Sequence, residues 1–254
     1  MQITGLCDRS GSFGVNVIQR SAAHPWNVRI TFEVLVPIAY IGILHELVEF
    51  FGVGKVYTSG LHATYRVTRL SDLVVIMNHF KLYPLITSKV QVFILWAEAL
   101  EIVQSKQHLT DVGMSRVMSI SGTTGRGMNK ALITAKPSLV TAVLPPYVVP
   151  TVINPWWISG FLSVYSSFTG RHTMESWRGY MISKWKHAFT VGFDIRNLEI
   201  AKLISRTLNI AYYITTDSTR VNISAQTDDE CVRVFNFLSN HPLLGPKVEL
   251  VTAW

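Results

Sequence analysis

The sequence predicts an α+β fold made of two copies of one α-β-β-α-β-β-α unit, and three observations carry that expectation. The first is a repeated motif: Ile3-Thr4-Gly5-Leu6 followed by Gly11-Ser12-Phe13 returns, with identical spacing, as Ile158-Ser159-Gly160-Phe161 followed by Ser166-Ser167-Phe168. The second is a repeated tail, in which His79-Phe80-Lys81-Leu82-Tyr83-Pro84-Leu85 runs to Lys89 and Leu238-Ser239-Asn240-His241-Pro242-Leu243 runs to Lys247. The third is strand-type alternation at matching places in the two halves. Internal repetition of this kind fixes an architecture before any single element is assigned.

A short helix carries the motif in each half. In the strand that follows, Val28, Ile30, Phe32 and Val34 face one way while Arg29, Thr31 and Glu33 face the other, the period of a half-buried strand. Its counterpart sets Phe189, Val191, Phe193 and Ile195 against Thr190, Gly192 and Asp194. Helices are expected next, at Ile38 to Phe51 and at Asn197 to Leu208. A second hairpin places Arg66 and Thr68 against Tyr65 and Val67; its copy places Arg220, Asn222, Ser224 and Gln226 against Val221, Ile223 and Ala225. A further helix closes each unit. Residues 119–130, rich in Gly, Ser and Thr, read as a loop. Five of the ten prolines (Pro137, Pro145, Pro146, Pro150 and Pro155) then mark an extended, stiff connector. The expected division is a first repeat over 1–135, a linker over 136–152 and a second repeat over 153–254.

With 254 residues, 48% hydrophobic and 15% charged, the chain has enough apolar material for real cores and is not a disordered or solvating segment. Lys and Arg outnumber Asp and Glu by 23 to 16, and the pI near 9.5 suits a polyanionic partner. The mean hydropathy of +0.27 is high, which fits a large core or a surface covered by a neighbour. Cys7 and Cys231 cannot make a disulfide framework or a four-ligand zinc site, which points to a reducing compartment, and Cys7 reads as a small buried residue. No stretch reaches the roughly 20 apolar residues that cross a bilayer. Met1 leads straight into patterned sequence, with no targeting extension visible. The eight histidines show no metal spacing, and Gly122, Gly125 and Gly127 follow no strand that would make them a phosphate loop.

Ile3 to Phe13 and Asn154 to Phe168 resemble the two motif copies of single-chain LAGLIDADG homing endonucleases. The resemblance continues through Phe51-Gly52-Val53-Gly54-Lys55-Val56-Tyr57, His79 to Lys89, Lys106-Gln107-His108-Leu109-Thr110 and the Asn154-Pro155-Trp156-Trp157 entry, which look like the two-repeat organelle-intron branch. It implies a saddle of two antiparallel sheets with the motif helices paired at the centre. Thr4, Gly5, Ser159 and Gly160 would let the helix backbones approach, and His79 and His108 would belong to structural motifs of the family. It also implies one metal-holding acid at the end of each motif helix. Ser10 and Tyr165 stand at those positions. Asp8 matches a structural aspartate two residues earlier, about 200° away on a helix, and its counterpart in the second copy is Ser163. The expectation from these positions is a catalytically inactive protein, not an enzyme, with no metal and no cofactor.

What remains of the resemblance is a surface for nucleic acid. Arg20, Arg29, Arg66 and Arg69 fall on strands or strand ends in the first half, and Arg171, Arg178, Lys184, Lys186 and Arg220 do so in the second. Between Gly113 and Lys186 there are eight basic residues and one acid, Glu175, the imbalance of a phosphate-binding face. Lys89 and Lys247 match lysines near the family's metal site; they read either as phosphate contacts or as solvated residues at helix starts. Trp26, Trp177, Tyr180 and Trp185 are interleaved with the bases, as base-stacking platforms or as core residues. The function expected is an RNA-binding structural subunit of an organellar ribonucleoprotein such as the mitochondrial ribosome. The alternatives are a group I intron maturase and a non-cleaving DNA-binding pseudo-endonuclease. The expected partners are ribosomal or intron RNA, with DNA possible, and neighbouring ribonucleoprotein subunits; neither a membrane nor a homodimer is required. The resemblance places the protein in the mitochondrial matrix.

Overall fold

The structure is a computed structural model and describes residues 1–19, 26–124, 127–215 and 217–254, the side chain of Trp177 excepted. The chain forms two compact units: Ser10–Val148, and Val149–Trp254 joined by Met1–Arg9. The N-terminal helix α1 (Gln2–Ser10) therefore packs, over its first nine residues of chain, with the second half of the sequence.

In the Ser10–Val148 unit, β1 (Gly11–Gln19) and β2 (Trp26–Pro37) pair antiparallel, with Phe13 opposite Phe32 and Asn16 opposite Arg29. The 3-10 turn Ile38–Tyr40 leads into α2 (Ile41–Phe51), and β3 (Lys55–Ser59) and β4 (His62–Val67) complete a sheet of order β1-β2-β4-β3. Helix α2 stops at Gly52, whose φ of +67° is open to a residue without Cβ, and whose N–H closes on the Val48 carbonyl. Helices α3 (Leu70–Leu82), α4 (Lys89–Gln104), α5 (Asp111–Thr124) and α6 (Lys130–Ala135) follow. The alternation in β1 and β2 sends Phe13, Val15, Val17, Ile30, Phe32 and Val34 into one core, where they are at most 3% exposed. Phe13 meets Phe32, Phe80, Phe93 and Trp96 at ring distances of 5.1–5.4 Å. Trp96 satisfies its buried N–H on the Thr31 carbonyl, 2.9 Å away. His79 sits among Phe50, Phe51, Phe80 and Tyr83, and burial pushes its pKa down to about 4.

The loop expected over residues 119–130 is helical as far as Thr124. Ser119 and Thr123 place their hydroxyls on the carbonyls of Val140 and Ala142, 2.6 Å each, so these weak helix formers are held by the connector. Residues 139–150 of that connector carry neither helix nor strand, in keeping with their prolines.

The other unit repeats the plan. Helix α7 (Pro155–Tyr165) starts with the Asn154 side chain accepting the Trp156 N–H at 2.9 Å and with Pro155 in its first turn. Strands β5 (Ser166–Trp177) and β6 (Tyr180–Asp194) form a long hairpin whose turn residues, Arg178 and Gly179, have φ of +49° and +86°. Two positive φ values suit the right-handed twist of the flanking strands. The turn Ile195–Asn197, α8 (Leu198–Leu208), β7 (Ala211–Ile214), β8 (Arg220–Ala225), α9 (Asp228–Asn240) and α10 (Lys247–Ala253) complete the unit, with sheet order β5-β6-β8-β7. Ile200, Ala201, Ile204 and Leu208 make the buried stripe of α8. A full capping box, Thr227 with Glu230, starts α9. Two four-stranded antiparallel sheets of identical order, each with its helices, are the predicted α+β class.

Motif helix α1 lies against α7. A Cβ on Gly5 would collide with the Trp157 carbonyl oxygen, and one on Gly160 with that of Gln2. Thr4 and Ser159 are fully buried. Gln2 donates to Ser159 Oγ at 2.9 Å and Ser159 donates to the Pro242 carbonyl at 2.6 Å, which ties the pair to the segment that follows α9.

Candidate functional site

Because strands alternate, the residues between the core positions make a solvent face on each sheet. On the first sheet one row runs Ser12, Glu33, Arg66, Lys55 across four strands, and the neighbouring row carries Asn16 and Arg29. Arg66 Nε donates to Glu33 Oε1 at 2.6 Å, and its guanidinium lies 5.3 Å from the centre of the Tyr57 ring. Asn16, Arg29, Glu33, Arg66 and Asn129 line a cavity of about 500 Å³ on this face.

On the second sheet Arg171 stands opposite Lys186, Thr173 opposite Lys184, and Asp194 opposite Arg220. Gly192 leaves the space that the Arg220 guanidinium and Asn222 occupy. Lys186 pairs with Glu175, which holds that carboxyl below its usual range, and Lys184 reaches Asp228 at 3.3 Å. Arg171, Lys184 and Lys186 line a cavity of about 810 Å³ that runs to the start of α9.

The sequence-predicted bases thus divide. Arg29 and Arg66 share one face, and Arg171, Lys184, Lys186 and Arg220 share the other. Arg178 is in the hairpin turn and Arg69 precedes α3, both exposed. Arg20 lies outside the described residues, as does the side chain of Trp177. Trp185 pairs with His172 on the opposite side of the hairpin from Lys184 and Lys186, at a ring distance of 5.6 Å, so the interleaving in sequence does not put it among the bases. Tyr180 is 74% exposed and Trp26 half-buried. Lys55, Tyr57, Asn16 and Glu33 join the first face without having been singled out; β3 is too short for its alternation to be read alone.

Each motif lysine donates to backbone carbonyls beside a motif helix, Lys89 half-buried and Lys247 buried. Lys89 donates to the Gly11 carbonyl at 2.6 Å, just past the end of α1. Lys247 is 4% exposed and donates to the Val164 carbonyl at 2.6 Å and to Ser166, at the end of α7. The Val164 carbonyl is one that α7 leaves unsatisfied in its last turn, where an ammonium also suits the negative end of the helix dipole, whereas Gly11 and Ser166 open β1 and β5. Burial, with Arg9 nearby, pulls the Lys247 pKa down to about 8.

Asp8 is buried and accepts the Trp157 indole N–H at 3.2 Å, a structural use. Arg9 lies over the rings of Phe161 and Tyr165, 5.4 and 5.2 Å from their centres. The Ser10 hydroxyl is buried with no hydrogen-bond partner among the described residues. A divalent cation here would require hard oxygen donors. Ser10 ends its motif with a hydroxyl and Tyr165 ends its own with a phenol, and neither is the charged hard donor that such a cation prefers.

Residues 3–100 match the family model described as LAGLIDADG endonuclease. Over that stretch the chain is similar to the LAGLIDADG endonuclease family. Among curated proteins it is 25% identical, over 99% of its own length, to "Probable intron-encoded endonuclease 3" of Neurospora crassa. It is 28% identical, over 42% of its length, to "Uncharacterized 50.9 kDa protein in ND4 intron 1" of Podospora anserina. The chain spans 48% of the first relative and 25% of the second, so each extends well beyond it. Among solved structures it superposes on the I-SmaMI LAGLIDADG homing endonuclease bound to cleaved DNA with a TM-score of 0.91, covering 100% of this chain and 86% of that one at 24% identity. I-GzeII in complex with its DNA target gives a TM-score of 0.89 at 23% identity, covering 100% and 87% of the two chains. These superpositions establish the fold.

They also correct one expectation. The expectation that this chain is not an enzyme rested on Ser10 and Tyr165, and it is overturned by the endonucleases among the proteins it is similar to. The physical reason is that a cation at a phosphodiester takes oxygen from substrate phosphates, backbone carbonyls and water as well as from carboxylates. Two side-chain identities do not decide whether a strand is cut.

Proposed function

We propose that this chain recognises duplex DNA in the manner of a homing endonuclease, meeting phosphates and base edges with the solvent faces of its two sheets. The observation that carries the reading is the pair of solvent faces, topologically equivalent, each basic on one side of strands whose other side is core. Strands are narrow enough to enter a major groove, where each base pair shows a distinct pattern of donors and acceptors. Fold neighbours were captured on DNA targets, which supports the choice of polyanion. Phosphodiester cleavage is the activity that accompanies this reading. The relatives' descriptions, an intron-encoded endonuclease and a protein in an ND4 intron, support an intron-encoded, mitochondrial origin.

The test is selection from a randomised duplex pool, followed by incubation of the enriched duplex with Mg²⁺. Enrichment of one sequence class is expected, and cutting that EDTA stops would extend the reading to catalysis. Failure to enrich any duplex, with structured RNA outcompeting DNA, would overturn it in favour of a ribosomal or splicing role.

A further inference from the structure

The geometry points to Arg66 as a base-reading residue, a guanidinium aimed at the major-groove edge of guanine rather than at phosphate; this rests on the DNA reading proposed above. Phosphate contact requires only a charge of some reach, whereas base reading requires a planar fork held in one orientation. Arg66 is held from two sides. Its Nε is fixed by Glu33 Oε1 at 2.6 Å, and the Tyr57 ring, 5.3 Å from its Cζ, limits rotation of the plane.

Position supports the same assignment. β4 lies between β2 and β3, so Arg66 is inside the sheet, with Glu33 on one flank and Lys55 on the other. Its side chain is 36% exposed and lines the cavity on the solvent face. With Nε spent on Glu33, the two Nη groups remain, and among the described residues no acceptor is found for them. Two parallel N–H donors are what guanine O6 and N7 accept. Glu33 also offsets the charge of Arg66, which makes it a poor anchor for phosphate but costs a base reader little.

The other repeat sharpens the point. The equivalent row there is Ser167, Thr190, Ser224, Ala211, in which Thr190 Oγ1 and Ser224 Oγ are 3.4 Å apart and no charge is present. Lys184, Lys186 and Arg171, by contrast, lie towards the outer part of the hairpin. The two repeats therefore read different base pairs, and the guanine assigned to Arg66 belongs to one half of an asymmetric target.

The experiment is duplex selection with the wild type, Arg66→Lys and Arg66→Gln, combined with the salt dependence of binding to the wild-type consensus. Arg66→Lys keeps the charge and removes the fork. Both variants are expected to lose the preference at one G·C pair only, with consensus binding weakened about ten- to a hundred-fold and the melting temperature nearly unchanged. The salt slope of Arg66→Lys should equal that of the wild type. Uniform weakening of Arg66→Gln on all sequences, with a slope reduced by about one and Arg66→Lys indistinguishable from wild type, would make Arg66 a phosphate contact and overturn the inference. If the wild type itself enriches no duplex, the DNA reading fails and takes this inference with it. If the wild type enriches a duplex but no position relaxes in either variant, the inference alone is wrong.

Discussion

Lys247 carries an ammonium to a place with almost no water, and its stability effect has two opposing parts. Lys247→Met removes the donor to the Val164 and Ser166 carbonyls, but it also removes the burial of a charge. The pH trend separates them. The folded-state pKa is about 8 against 10.5 for an unperturbed lysine, so between those values the unfolded chain binds a proton that the folded chain has released. The wild type should therefore gain stability relative to Lys247→Met as pH rises from about 8 to 10, by roughly 1–2 kcal/mol, and show no such trend below about pH 7. Parallel pH profiles of the two proteins in urea would remove the buried titration from the account. That a lysine stands at this place was legible from the repeated tail. Its burial was not, because its acceptors at residues 164–166 lie far away in sequence and a lysine at a helix start reads as solvated.

At the scale of elements, the pairing of α1 with α7 yields the sharpest contrast. Gly5→Ala and Gly160→Ala each drive a methyl into a backbone carbonyl, and overpacking of this kind costs about 1–3 kcal/mol. Gly42, in the first turn of α2, has nothing within 4 Å of the place a methyl would take, and there Ala should stabilise by up to about 1 kcal/mol. Thermal melting of the three variants checks the signs, and equal small shifts in all three would mean that the motif helices do not meet at their glycines. The motif copies made this interface legible, since small residues recur at the same offset. The hairpin β5–β6 was legible only in part. From Phe189 to Phe193 its alternation stands over core, whereas Met181 to Lys186 is exposed on both sides, so nothing in the pattern says which way Trp185 turns. Ser119 to Thr124 misled for a related reason: its helix is secured by Val140 and Ala142, partners that composition alone does not reveal.

At the scale of the whole molecule, two repeats with equivalent sheets were legible from the sequence, but their chemistry was not. Ser10 and Tyr165 alone do not establish inactivity, since endonucleases stand among the relatives and a cation at a phosphodiester draws oxygen from substrate and backbone as well as from side chains. The basic residues gathered on the solvent faces of both sheets, in a chain with 23 basic and 16 acidic residues, are a sounder guide. Its most direct test is the salt dependence of binding to a selected duplex, comparing the wild type with a variant carrying Arg171→Gln, Lys184→Gln and Lys186→Gln. If these side chains meet phosphates, the slope of log K against log salt should flatten by about 0.9 for each phosphate no longer neutralised, with an unchanged melting temperature. A wild-type slope near zero, or identical slopes for the two proteins, would contradict DNA recognition through the open faces of the sheets.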